Sequence, residues 1–209
     1  MGVRPAGVLR LGRRRFEPWE LLVMAAAPGM GPDPGAALEW VHSAVAEGAD
    51  IVEVPGVVSV APFVATVRDA YPELVIGVRT GSGEVAREAC AAGADLLSGP
   101  LAEVAAEFGV GVVGSLAGAA RAVRAGVAAE RVIVEGSRPV ADLVASGWPV
   151  LVSLSDPDLA GDLARAAVCG WLGARVFRIQ RVLQTRRALS MVSAIRGDIP
   201  PAYAVRGLA

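Results

Sequence analysis

The stretch Glu47-Gly48-Ala49-Asp50-Ile51-Val52-Glu53-Val54-Pro55-Gly56 ends one helix and starts one buried strand. Glycine at 48 supplies the left-handed backbone that stops a helix and turns the chain back toward a sheet. From Ile51 to Val54 the chain is apolar and β-branched except at Glu53, the pattern of a parallel strand covered on both faces. The same joint returns as Ala92-Gly93-Ala94-Asp95 and as Leu172-Gly173-Ala174-Arg175. That repetition reads as the joint of a βα unit, not as a binding motif.

Working outward, short apolar runs recur at 21–26, 50–54, 75–78, 95–97, 111–114, 131–134, 150–154 and 176–179. Alanine-rich helical runs follow them at 35–47, 60–70, 84–92, 101–108, 116–125, 140–146, 159–172 and 183–196. Val60, Phe63, Val64 and Val67 show the i, i+3, i+4, i+7 spacing of an amphipathic helix. Eight strands, each followed by a helix, predict a (β/α)₈ TIM barrel with short loops. The 209 residues read as one such domain, 1–209. An open doubly wound sheet shares the local pattern. No Gly-x-Gly-x-x-Gly follows the first strand, which weakens its dinucleotide-binding version. The tail at 196–201 reads as an irregular strap.

Composition narrows the function classes. Hydrophobic residues are 54% and charged residues 20%, with a net charge of −1. A large core follows, and disorder does not. No basic run exists beyond Arg13-Arg14-Arg15, so no nucleic-acid surface is expected. That triplet reads as a solvated cluster. No apolar stretch reaches the ~20 residues of a membrane helix. The run at 21–25 fits a buried strand better than a signal peptide. Cys90 and Cys169 read as two lone thiols in a reduced cytoplasm, not as a disulfide or a metal pair.

The chain contains no lysine and no asparagine, and its one histidine is His42. It therefore has no ε-amine to act as base, electrophile or Schiff-base nucleophile. His42 lies in the first helical run and reads as a surface or interhelical residue.

Several motifs together resemble the dihydropteroate synthase family. The stretch 47–56 is similar to its second-strand motif, Gly-Ala-Asp-Ile-(Val/Ile)-Asp-Val-Gly-Gly. The stretch 84–96 resembles the third helix and fourth strand, and Gly147-Trp148-Pro149-Val150-Leu151-Val152-Ser153-Leu154-Ser155 the seventh strand. Residues 173–178 and 191–197 resemble the eighth strand and last helix. The likeness spans nearly the whole chain, with deletions after the fifth and sixth strands. It is strongest to the divergent second copy that some bacteria carry beside the folate enzyme.

The resemblance implies a transferase that joins para-aminobenzoate to a pterin pyrophosphate in folate biosynthesis, assisted by magnesium. It also implies which residues would do so, and most are changed. The first-loop motif with its metal- and phosphate-binding Asn falls on 27–33, where no Asn stands. The second-strand Asp falls on Glu53, and the third-strand Asp falls on Arg79, a charge reversal. The fourth-strand Asn-Asp falls on Ser98-Gly99, and the fifth-strand His on Leu116. The sixth-strand Asp falls on Glu135. The seventh-strand Ser-Arg-Lys falls on Ser155-Asp156-Pro157. The eighth-strand Arg-x-His falls on Arg178-Ile179-Gln180, which keeps only the arginine.

The expected vestigial rim is therefore Glu53, Arg79, Ser98, Ser115, Glu135, Ser155 and Arg178, with no catalytic residue, metal ligand or cofactor assigned. Buried charges must be paired, so Arg79 is expected to pair with Glu53 or Glu135 and to plug the former pterin pocket. Three functions stay open. One is a non-catalytic homologue, a cytoplasmic pseudoenzyme that self-dimerises or pairs with a related barrel. Another is a weakly active dihydropteroate synthase. The third is a barrel enzyme with a new reaction at Glu53 or Glu135 on a small-molecule ligand.

Overall fold

Residues 7–27, 34–56, 60–155 and 157–199 are described by the computed structural model. A hairpin comes first, in which β1 (Leu9–Leu11) pairs antiparallel with β2 (Arg14–Phe16). Strands and helices then alternate. The order is β3 (Leu22–Ala26), α1 (Pro34–Ala46), β4 (Ile51–Pro55), α2 (Val60–Ala70), β5 (Val75–Arg79), α3 (Gly83–Ala91), β6 (Leu96–Ser98) and α4 (Ala102–Phe108). It continues with β7 (Gly111–Gly114), α5 (Leu116–Ala125), β8 (Val132–Val134), α6 (Val140–Ala145), β9 (Leu151–Ser153), α7 (Leu159–Trp171), β10 (Val176–Ile179) and α8 (Val182–Arg196).

Strands β3 to β10 form one parallel sheet in the order β8-β7-β6-β5-β4-β3-β10-β9. Val134 bridges Val150, and the Val134 amide donates to the Pro149 carbonyl at 2.8 Å, which joins β8 to β9. The sheet is thus a closed barrel, and the open-sheet alternative is set aside. Closure removes every strand edge.

The two faces of each strand have separate tasks. Val23, Val52, Ile76, Leu97, Val112, Val132, Val152 and Phe177 point out against the helices. Met24, Ile51, Val75, Leu96, Val113, Ile133, Leu151 and Val176 fill the interior. Side chains alternate along a strand, so the next inward position after Ile51, Leu96, Ile133, Leu151 and Val176 falls on Glu53, Ser98, Glu135, Ser153 and Arg178. Parity alone puts a polar layer on top of an apolar one.

The hairpin caps the other end. Leu9, Leu11 and Phe16 are wholly buried against the interior layer. Its turn needs Gly12, at φ 54°, because a Cβ there would lie 2.3 Å from an Asp95 carboxylate oxygen. The arginine triplet is thus part of a structural element. Arg13 is exposed beside Glu73, whereas Arg14 stacks 4.5 Å over the Phe16 ring. Arg175, 2% exposed, donates to the Gly7 carbonyl at 2.7 Å and to that of Glu17, tying β10 to the hairpin. Burial pushes its pKa down to about 10, against the pull of Glu20 and Glu17.

The recurring Gly-Ala-Asp joint has a structural cause. Asp50 accepts the Val23 amide at 2.9 Å and pairs with Arg186; Asp95 accepts the Ile76 amide at 3.0 Å and pairs with Arg68. Arg186 donates to the Gly48 and Leu21 carbonyls, and Arg68 to those of Gly93 and Leu74. Each guanidinium thus ties one helix to two adjacent strand starts. Gly48, Gly93 and Gly173 all have positive φ, as helix-ending glycines should. His42 hydrogen-bonds Tyr71 between α1 and α2, the interhelical place expected of it. The chain end turns at Gly197 (φ 78°), and residues 200–201 lie outside the described residues.

Candidate functional site

The C-terminal ends of the barrel strands carry one cation among four acceptors. Arg178 on β10 is 7% exposed and Glu53 on β4 is 1% exposed. Arg178 Nη2 donates to Glu53 Oε1 at 2.9 Å and to Ser98 Oγ at 3.3 Å. Its Nη1 donates to both oxygens of Glu135 at 2.7 Å and to Ser153 Oγ at 3.0 Å. The two serines complete the net: Ser98 Oγ donates to Glu53 Oε1 and Ser153 Oγ to Glu135 Oε1, each at 2.6 Å.

The geometry is not fully satisfied. Arg178 Nε lies 2.8 Å from Glu53 Oε2, but its N–H is not aligned for a hydrogen bond, so both atoms are buried without one. That contact is Coulombic. Burial alone would lower the Arg178 pKa, yet the carboxylates of Glu53 and Glu135 outweigh it and the net shift is upward. The guanidinium is locked in its charged form.

Arg79 does not plug the barrel. Its side chain is half exposed, and its Nε stands 3.8 Å from Glu53 Oε2. Arg178 supplies the buried pair expected of Arg79, because β10 directs its inward residue at both glutamates. Ser155 is exposed two residues past the end of β9, and Ser153 is the serine that joins the network. The strand parity set by Leu151 was the signal for that residue. Ser115 caps α5, its Oγ accepting the Gly118 amide at 3.1 Å. Glu53, Ser98, Glu135 and Arg178 are brought together in one network. The first-loop positions 28–33 and Asp156 lie outside the described residues.

Beside the network opens a cavity of about 440 Å³, on the side of β6, β7, β8 and α5. Arg79, Arg121, Glu135 and Arg178 line it together with Leu101, Val112 and Val132. Its floor depends on Gly99 (φ 150°), where a Cβ would sit 2.3 Å from the Thr80 carbonyl oxygen.

No family model matches the chain. Curated relatives do. The chain is 37% identical to the "Inactive dihydropteroate synthase 2" of Mycobacterium tuberculosis, over 83% of this chain and 80% of that protein. It is 35% identical to the Mycobacterium leprae protein of the same name, over 83% and 87%. Among solved structures, Mycobacterium tuberculosis Rv1207 superposes with a TM-score of 0.79 at 39% identity, covering 88% of this chain and 95% of that one. A Yersinia pestis dihydropteroate synthase bound to a pterine–sulfa conjugate superposes at 0.80 with 19% identity, covering 91% and 99%, which shows the shared fold. By sequence and by fold, this chain belongs to the dihydropteroate synthase family, as a divergent homologue like those named inactive dihydropteroate synthase 2.

Proposed function

We propose that this chain is a non-catalytic member of its family, a cytoplasmic partner or binding protein without dihydropteroate synthase activity. One observation carries the reading. Arg178 pairs with both rim carboxylates from within the chain, so the acceptors that would meet a pterin already hold an internal ligand. A guanidinium offers a carboxylate the same fork of donors that a pterin edge would. The missing lysine, asparagine and second histidine support the same conclusion.

Two features weigh against the family's magnesium: no Asn stands in the stretch 27–33, and Glu53 and Glu135 share a fixed cation. A second divalent charge there would oppose Arg178. The same bonds argue against Glu53 as a general base for a new reaction, since a base must be free to accept a proton.

A barrel partner is supported by the outer face of α7 and α8. Val168, Trp171, Met191 and Ile195 are all more than half exposed on these packed helices. Large apolar side chains exposed on two packed helices favour association. The occupant is a second copy of this chain or a related barrel. Among the described residues no helix is long and apolar enough to cross a membrane.

Complementation tests the reading. The full chain expressed in a dihydropteroate synthase-deficient bacterium should leave it unable to grow without folate end products. Growth would contradict the proposal.

A further inference from the structure

We propose that the cavity beside the Arg178 network binds an aliphatic carboxylate, an acid with an apolar chain and no ring to stack. This rests on the reading that Glu53, Glu135 and Arg178 are closed to ligands. Glu53 and Glu135 carry two negative charges against the one positive charge of Arg178, and Arg79, 3.8 Å from Glu53, offsets the second, so Arg121 is the net positive charge on the cavity wall. Arg79 and Arg121 are both exposed. Arg79 reaches a carboxylate only at 3.8 Å, and Arg121 makes no ion pair among the described residues. A cavity edged by two exposed guanidiniums, one of them without a carboxylate partner, favours an anion.

The rest of the wall sets the body of that anion. Pro100 and Ala117 present exposed apolar surface with the buried Leu101 and Val112 behind them, and none of the lining residues is aromatic. A planar heterocycle would find no aromatic ring to stack on, whereas an alkyl chain gains from each methylene it buries. A volume of about 440 Å³ falls within the range of small-ligand sites. The charge reversal at Arg79 thus gives the site a preference for acids, with the carboxylate at the mouth and the chain against β7 and β8.

Calorimetric titration of the full chain with octanoate, octanamide and acetate tests this. Octanoate should bind at least tenfold more tightly than either of the others. The amide lacks the charge and acetate lacks the chain. The double variant Arg79→Met, Arg121→Met should bind octanoate no better than octanamide while melting at the wild-type temperature, since both side chains are exposed. No binding of octanoate, equal binding of acid and amide, or undiminished binding by the double variant would each overturn the proposal. A parallel titration with a pterin that carries no carboxylate separates the two readings: its binding would contradict the closed network, and the octanoate comparison would still decide the cavity.

Discussion

Arg178 and Glu53 meet across the barrel mouth at 2.9 Å, although their strands β10 and β4 are not neighbours and are separated by β3. The ion pair is buried on both sides. Such a pair is weak evidence of stabilisation in itself, but breaking it from one side is costly.

Replacing the cation isolates a buried charge. Arg178→Met should destabilise the fold by about 3–5 kcal/mol, because Glu53 would keep only Ser98 and the half-exposed Arg79 at 3.8 Å. The double variant Glu53→Gln, Arg178→Met should be more stable than Arg178→Met alone. Urea denaturation of the three proteins checks both statements. Equal stability of Arg178→Met and wild type would show that the network carries no structural weight.

The two arginine clamps should act alike and independently. Arg68→Met and Arg186→Met each remove a helix-to-strand tie and leave Asp95 or Asp50 without its ion pair to that helix. Each should cost about 1–3 kcal/mol. Having no shared partner, the two costs should add to within about 0.5 kcal/mol. Thermal unfolding of the single and double variants measures this, and strong non-additivity would refute the independence of the two sectors.

The cysteines differ in a way reagents can read. Burial, with Asp95 and Glu107 adding to it, pushes the Cys90 thiol from an ordinary 9.0 to about 11. Burial also raises Cys169, less deeply placed, against the pull of Arg165. At pH 8 a thiol-reactive disulfide should label Cys169 faster than Cys90 in the native protein, and both at one rate in denaturant. The sign for stability follows. Between pH 9 and 11 the unfolded thiol has lost its proton and the folded one keeps it, so stability falls as pH rises. Cys90→Ala should reduce that slope and leave the part that Cys169 contributes.

Association should depend on the outer helices. Trp171→Glu with Ile195→Glu places charge on the exposed face of α7 and α8 without touching the barrel interior. Sedimentation should find a dimer, or a complex with a related barrel, in the wild type and a monomer in the variant. A wild type that stays monomeric with and without a related barrel would remove this surface from the account.

Much of this was legible in residue order. Strand runs and helix-ending glycines placed all eight βα units within a residue or two, because a doubly covered parallel strand leaves a dense apolar signature. The hairpin was not legible. Three arginines in its turn and second strand hid the inward alternation of Leu9, Leu11 and Phe16, and only the barrel end explains why those three are apolar. In the site, family register located Glu53, Ser98, Glu135 and Arg178. It could not decide which arginine reaches the glutamates, since that depends on distances between strands far apart in sequence. Ser153 was missed because alignment in a shortened strand outweighed parity with Leu151.

The central claim is that the chain's own guanidinium occupies the place of the family's ligand. Calorimetric titration of the wild-type chain with a pterin that carries no carboxylate tests it most directly. No saturable heat is expected at any accessible concentration, while saturable binding at micromolar pterin would contradict it.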